Sequence, residues 1–418
     1  MRHSDRRRVI RVLSAVLVAL ALVLVTGCTV PGRPIGQYPD PTALDVGAYS
    51  IHPLDEPTGN ERYGRVVEAA RMAEALIDPV EADPTLTLAV GGDGVMLMPT
   101  TAKATILLAA PVRAVLERNG MVTGCAVGGT DKDPPQHGPV VGQARVLMVI
   151  TLRFPDAPAA QRAAREIDDV DKAMSPENVS VPIPGYPAAA AHWRPTVPSM
   201  AATIAEGPYV VSLIAGHTAT DSEALTGLAR KAFDAQLPRL REFVPTPADQ
   251  LATLSLDHEG MLRRIAPEAP GRWPYPKVIV TNPQRVANWN QVIRGEGIVY
   301  GPRGTRLWNG RIHQERPIEW EAVNGMTQLQ RYSTAVAARR AFEEMKSSMT
   351  QGFGIVEGPQ GVPEVFCVET PGSVSDGRSA FTCRMVYGRY LGMLIGNDLK
   401  NLRQRTALQL ALLVNAGD

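Results

Sequence analysis

Two stretches of this chain repeat each other at a fixed offset of 178 positions. Phe154-Pro-Asp-Ala-Pro-Ala-Ala-Gln-Arg-Ala-Ala-Arg-Glu-Ile167 lines up with Tyr332-Ser-Thr-Ala-Val-Ala-Ala-Arg-Arg-Ala-Phe-Glu-Glu-Met345, so Ala157, Ala159, Ala160, Arg162, Ala163 and Glu166 each recur. Further on, Gly185-Tyr-Pro187 returns as Gly361-Val-Pro363, and the strand-like Gly207-Pro-Tyr209 segment returns as Gly388-Arg-Tyr390. Matches in the same order mean that whatever one copy folds into, the other must also be able to form. In each copy apolar alternation gives way to helical spacing, as at Ala160, Ala163, Ile167 and Val170, and then returns. The pattern reads strand, helix, strand pair, strand, helix, which is an α+β unit. A period this long specifies a pair of domains, since a solenoid repeats far more often. The expected fold class is therefore α+β: two related αβ domains, each a mixed or antiparallel sheet with packed helices.

The closing helices support the pairing. Leu225, Leu228, Ala232, Leu237 and Leu240 form one face in the first copy, and Leu399, Leu402, Thr406, Leu410 and Leu413 in the second. Ahead of the first copy, Tyr63, Val66, Val67, Ala70, Ala73, Leu76 and Ile77 trace an apolar helix face. Glu61, Arg62, Arg65, Glu68, Arg71 and Glu74 fall on its polar side, and Asp78-Pro79 ends it. A strand at Leu86 to Val90 and a helix from about Pro111, closed by Asn119-Gly120, complete the first domain. The Pro-rich Phe243-Val-Pro-Thr-Pro-Ala-Asp249 segment marks the boundary, giving domains at 49–243 and 244–418.

The N-terminus sets the expected compartment. Five Arg and one Asp in the first eleven residues precede an apolar run from Val12 to Val25, the arrangement of a secretory signal peptide. Those fourteen residues would reach about 21 Å as a helix, short of the roughly 30 Å hydrocarbon core. The run ends Leu24-Val25-Thr26-Gly27-Cys28, which resembles the bacterial lipobox and implies cleavage after residue 27 with diacylglycerol on Cys28. Residues 28–48, rich in Pro and Gly at their start, read as an extended spacer. The chain carries a formal charge of +1, and loss of the leader would leave −3, so no overall basic surface favours nucleic acid.

An exported location permits disulfides. Cys367 and Cys383 lie in two strand-like segments around the Pro371–Gly377 turn and are expected to pair, whereas Cys125, in apolar surroundings, reads as a buried thiol.

The lipobox, the Asn60-Glu-Arg-Tyr-Gly-Arg65 segment, Asp83-Pro84 and the duplicated halves together resemble a family of uncharacterised two-domain lipoproteins from mycobacteria and nocardiae. The Cys pair beside Gly388-Arg-Tyr390 is also similar to extracellular sensor domains of mycobacterial serine/threonine kinases. Neither resemblance implies catalytic residues.

Candidate chemistry is sparse. Gly91-Gly-Asp-Gly94 is similar to the glycine-rich loop of diacylglycerol-type lipid kinases, but Val95 stands where that family has Thr, and a plain turn is the expected role. The seven His lack metal-ligand spacing, so no metal and no cofactor is expected. Asp221, near His217, reads as a helix cap, and Asp168-Asp169 as a solvated face. From Arg263 to Arg316 ten cations face three anions, and four of the five Trp lie at 273, 289, 308 and 320, interleaved with Arg285, Arg303, Arg306 and Arg311. Trp273, Tyr275, Arg303, Arg306 and Trp308 are thus candidate ligands for an anionic envelope glycan or lipid. The competing reading has these Trp close the second core while Arg neutralises the acidic first domain. The expectation is a lipid-anchored envelope protein that binds a ligand or partner without catalysis, two facing domains making the cleft. An envelope hydrolase or transferase with residues drawn from distant segments is the alternative. Membrane attachment through Cys28 is the expected contact, with no nucleic acid, and the sequence does not name a protein partner.

Overall fold

The computed structural model of the protein describes residues 40–132, 139–281, 292–308, 317–370 and 380–417. The leader, Cys28, Arg285, Trp289, Arg311 and the turn at 371–377 lie outside the described residues, as does the side chain of Trp308. From Pro41 onward the chain forms one compact unit.

The first half opens with α1 (Glu61–Met72), started by the Asn60 side chain, which accepts a hydrogen bond from the Tyr63 amide at 3.0 Å. Then come β1 (Leu88–Leu97), the short helices α2 (Thr101–Ala104) and α3 (Val112–Arg118), β2 (Thr123–Thr130), β3 (Val146–Arg153) and α4 (Ala157–Lys172). Strands β4 (Val179–Ser180), β5 (Ala190–Trp193), β6 (Ser199–Glu206) and β7 (Tyr209–Gly216) lead to α5 (Ser222–Glu242). A hairpin, β8 (Lys277–Thr281) and β9 (Val292–Glu296), separates the halves. The second half runs β10 (Ile298–Tyr300), α6 (Pro302–Trp308), β11 (Ile318–Asn324), β12 (Thr327–Tyr332), α7 (Ala335–Gly352), β13 (Gly354–Val356), β14 (Val365–Thr370), β15 (Ala380–Tyr387), β16 (Tyr390–Gly396) and α8 (Leu399–Ala416).

Both large sheets are antiparallel throughout, and they share one permutation of strands. The first has the order β1-β2-β3-β7-β6-β5-β4, the second β10-β11-β12-β16-β15-β14-β13. The repeated residues explain the match. Asp156 and Thr334, 178 positions apart, cap α4 and α7, while Asp221 and Asp398 cap α5 and α8. Each last hairpin turns through a two-residue loop whose first residue has positive φ, Gly207 at 53° and Gly388 at 51°, a conformation in which a Cβ is strained.

Strands β2 and β3 are buried along their whole length because helices cover both faces of the first sheet, α3 and α4 on one side and α1 and α5 on the other. In the second sheet Ala338 and Phe342 of α7 pack on Phe366, Val386 and Leu391. Leu402, Leu408 and Leu412 of α8 cover the opposite face, where Cys367 and Cys383 sit as directly opposed partners of β14 and β15 and form a disulfide, with Cα atoms 4.1 Å apart. Cys125 is buried in the first core, and burial pushes its thiol pKa far up.

The halves interlock. Ile298, Tyr300, Leu307 and Val323 from the second half are buried in the core of the first. One consequence is an asymmetry around the sister helices. In the first half α3 packs on α4, with Arg118 bonded to Glu166 at 2.7 Å. In the second, no described helix covers the matching side of α7, where Met345 and Met349 line a groove of about 760 Å³.

Three expectations change. The spacer does not extend to residue 48: Leu44 is buried, Val46 and Tyr49 pack on the second core, and Gln404 donates to Asp45 at 3.0 Å. Tyr49 donates to the Glu268 carbonyl and Asn415 to that of Ile51, so the start of the expected first domain is fastened to the second half. Gly91 to Gly94 form no separate turn; they lie within β1, whose register slips between Val90 and Val95. Asp168 is not on a solvated face, because it is buried and its carboxylate lies 2.7 Å from His192 Nδ1.

Candidate functional site

A cleft of about 610 Å³ opens where the halves meet. One wall is α1, through Val67, Ala70, Arg71 and Glu74; the second is the chain from Phe243 to His258; the third is Ile298, Val299 and Gly301 at β10, with Trp320 of β11. Its volume falls within the range of small-molecule sites, and its lining is mostly aliphatic, aromatic and Pro.

The boundary segment is held in place by α1. Gly64 lies so close to it that a Cβ would stand 1.8 Å from the Leu251 carbonyl oxygen, so only Gly allows this approach. One turn further along α1, Glu68 is fully buried, contrary to its expected place on the polar side. Its carboxylate accepts from Arg153 at 2.7 Å, from Arg71 at 2.5 Å, from the Thr246 amide at 3.0 Å and from the Thr246 hydroxyl at 2.8 Å. Arg153 in turn donates to the Thr246 carbonyl at 2.5 Å. A buried anion is tolerable here because two guanidinia and two neutral donors surround it.

The same cluster gives the cleft its charge. Arg71 sits over the Phe243 ring, 5.7 Å from its centroid, and its side chain is 41% exposed. Glu74, the other charged group of this wall, accepts from the Gly304 amide at 2.8 Å and the Arg303 amide at 3.1 Å at the start of α6. Burial raises its pKa, against the lowering effect of those bonds and of the Arg303 charge. Across the cleft the His258 ring meets Trp320 edge-on, with centroids 4.5 Å apart. Neither cleft hydroxyl is hydrogen-bonded to His258: that of Thr246 donates to Glu68 and that of Ser255 to Glu56 at 3.1 Å. Next to His258, burial pushes the Asp257 pKa up to about 6, although the Leu262 and Arg263 amides donate to its carboxylate.

Among the described residues, Arg303, Arg306, Trp273 and Tyr275 of the basic aromatic segment do not come together on one surface. Arg303 donates to the Leu76 carbonyl and to Glu81, and Arg306 pairs with Asp78 at 2.7 Å. Both guanidinia thus clamp α6 onto the acidic end of the first helical region, which is the neutralising role. Trp273 is buried and Tyr275 stacks on Tyr63 at 5.1 Å. Among the described residues of that aromatic group, Trp320 is the Trp that reaches the cleft. Sequence reasoning missed Arg71, Val244, Thr246 and His258. The available signal was the boundary segment, whose Phe243 and Val244 are too apolar for a solvated linker.

A smaller pocket of about 350 Å³ lies beside β5 and includes His192 and Asp171. The two nitrogens of His192 face Asp168 and Asp171, at 2.7 and 3.7 Å, and among the described residues no hydroxyl or thiol is hydrogen-bonded to it. Among the described residues, no group of three or more His, Cys, Asp and Glu is placed to hold a metal ion, and no helix is long and apolar enough to cross a membrane.

Comparison with known proteins matches both halves to one family. Residues 55–256 match the domain of unknown function (DUF7373) N-terminal, and residues 261–416 match the domain of unknown function (DUF7373) C-terminal. No curated protein matches the chain. Among solved structures, the extracellular domain of PknH from Mycobacterium tuberculosis is similar at 11% identity and a TM-score of 0.26, over 44% of this chain and 98% of that one.

Proposed function

Because the chain belongs to the DUF7373 family, carrying its N-terminal and C-terminal parts in order, we propose that it is an exported, lipid-anchored envelope protein that holds a ligand between its two halves without transforming it. The observation that carries this reading is the cleft itself: three walls from distant segments, a largely apolar lining, and one partly exposed Arg held at its edge by a buried carboxylate. The Cys367–Cys383 disulfide fits an exported protein. Attachment through Cys28 rests on the lipobox-like residues 24–28. Binding is favoured over hydrolysis or transfer because each cleft hydroxyl donates to a carboxylate that already accepts other donors, Glu68 from two guanidinia and the Thr246 amide and Glu56 from the Leu256 amide, and neither hydroxyl is hydrogen-bonded to His258.

Native mass spectrometry of protein recovered from its own envelope tests this directly. The expected result is a mass carrying acyl groups on Cys28 and a non-covalent adduct that disappears in Val67→Trp, which fills the cleft. A bare Cys28 would remove the anchor from the account, and an adduct that survives Val67→Trp would remove the cleft.

A further inference from the structure

We propose that the ligand of this cleft is a single acyl chain with an anionic head, the chain lying against the apolar walls and the head held by Arg71. This assignment rests on the reading that the cleft binds a ligand, and it names the class.

Three observations carry it. First, Val67, Ala70, Phe243, Pro245, Leu254 and Ile298 supply apolar surface from all sides, and beside them Val244 stands 77% exposed, an aliphatic side chain that gains from being covered. Second, the charge at the edge is unbalanced. One carboxylate, Glu68, serves two guanidinia, which leaves a surplus of +1. Arg153 is turned inward and used up by Glu68 and the Thr246 carbonyl, so the surplus resides at Arg71. Arg71 Nη1 donates to Glu68 and Thr246, Nη2 reaches only the Val244 carbonyl at 3.4 Å, and Nε has no acceptor among the described residues. Nε and Nη2 together are the fork that takes a carboxylate or phosphate side-on. Glu74 does not oppose an anion there, since its carboxylate is engaged by the two amides of α6 and lies beside Arg303. Third, the lining is poor in the hydroxyl and amide partners a glycan takes: Thr246 and Ser255 already donate to carboxylates, and beside the His258 ring and the Trp320 indole N–H the exposed Gln250 is the remaining neutral polar side chain.

The head could come from a free fatty acid or from a single-chain phospholipid; the shared chemistry is one chain and one anion. Delipidated full-chain protein is titrated with decanoate, dodecanoate and tetradecanoate, with the matching alcohols, and with lysophosphatidate, reading Trp fluorescence. Affinity should rise about fourfold per added methylene. The alcohols should bind at least about tenfold more weakly than the acids, as expected for losing a charge-assisted bond. Arg71→Gln should erase the difference between acid and alcohol while keeping the chain-length dependence. Val244→Glu, at a position too exposed to threaten folding, should weaken the acids and lysophosphatidate. Whichever of these two binds more tightly names the source of the head. Affinity that ignores chain length, or alcohols that bind as well as acids, overturns the assignment. If Val67→Trp releases the copurified ligand yet fatty acid does not compete for it, the acyl assignment falls and the cleft reading stands. If Val67→Trp leaves that ligand bound, the cleft reading itself falls.

Discussion

Glu68→Ala should be among the most damaging single substitutions in this chain, although Glu68 was placed by its periodicity on a polar helix face. The side chain is fully buried and its carboxylate accepts four hydrogen bonds, two of them from guanidinia. Arg71, with a side chain 41% exposed, regains water when its partner is removed and contributes little to the loss. Arg153 cannot: its side chain is 7% exposed, and after the substitution its charge is left buried with the Thr246 carbonyl as its remaining acceptor. Removing one partner of a buried ion pair typically costs about 3–5 kcal/mol, most of it the uncompensated charge. Urea unfolding followed by circular dichroism and Trp fluorescence measures it, with the slope checked for a change in unfolding mode. The double variant Glu68→Leu/Arg153→Leu separates the causes, since exchanging both charges for apolar groups is often near neutral. A single variant that loses less than about 1 kcal/mol, or a double variant as unstable as the single, would refute the reasoning.

The remaining predictions are narrower. Replacing both Cys367 and Cys383 with Ser opens a link across 16 positions and should cost about 3 kcal/mol, read as a shift of the urea midpoint; an unchanged midpoint contradicts it. Gly207→Ala and Gly388→Ala should each cost about 1 kcal/mol and by nearly equal amounts, because both have positive φ and neither Cβ would meet an atom within 4 Å. Unequal losses would mean that the sister hairpins are not energetically equivalent. Asp257, raised from 3.8 to about 6 chiefly by burial, keeps its proton in the folded chain at pH values where the unfolded chain has released it. Its contribution therefore makes stability fall by roughly 3 kcal/mol as the pH rises from about 4 to about 6, then level off. Unfolding midpoints across that range should lose this slope in Asp257→Asn, and a slope that persists assigns it to another group.

What the sequence discloses about the fold is its local grammar. The Asp221 cap and the facing cysteines are short-range features read directly from their neighbours, and the caps at Asp156, Thr334 and Asp398 and the hairpin glycines, not singled out as such in the sequence, fall in or beside the repeated segments. The interlock was hidden because an apolar residue states that it must be buried, not what will bury it. Tyr300 and Leu307 belong to the second half of the sequence and pack in the core of the first. Arg303 and Arg306 looked available because Glu81 and Asp78 are more than 200 positions away, and proximity at that separation is a property of topology. The cleft was partly foreseen in that two related halves were expected to face each other. Its charged edge was not, since the helical period places Glu68 and Arg71 on the polar face of α1 and cannot show that the boundary segment lies over them.

Hydrogen–deuterium exchange of the full chain with and without an extract of its own envelope lipids tests most directly whether ligand lies between the halves. The account predicts slowed exchange in α1, in residues 243–258 and in β10 together, the three segments that line the cleft. Protection confined to β5 around His192 or to the α7 groove, with those three segments unchanged, would contradict it.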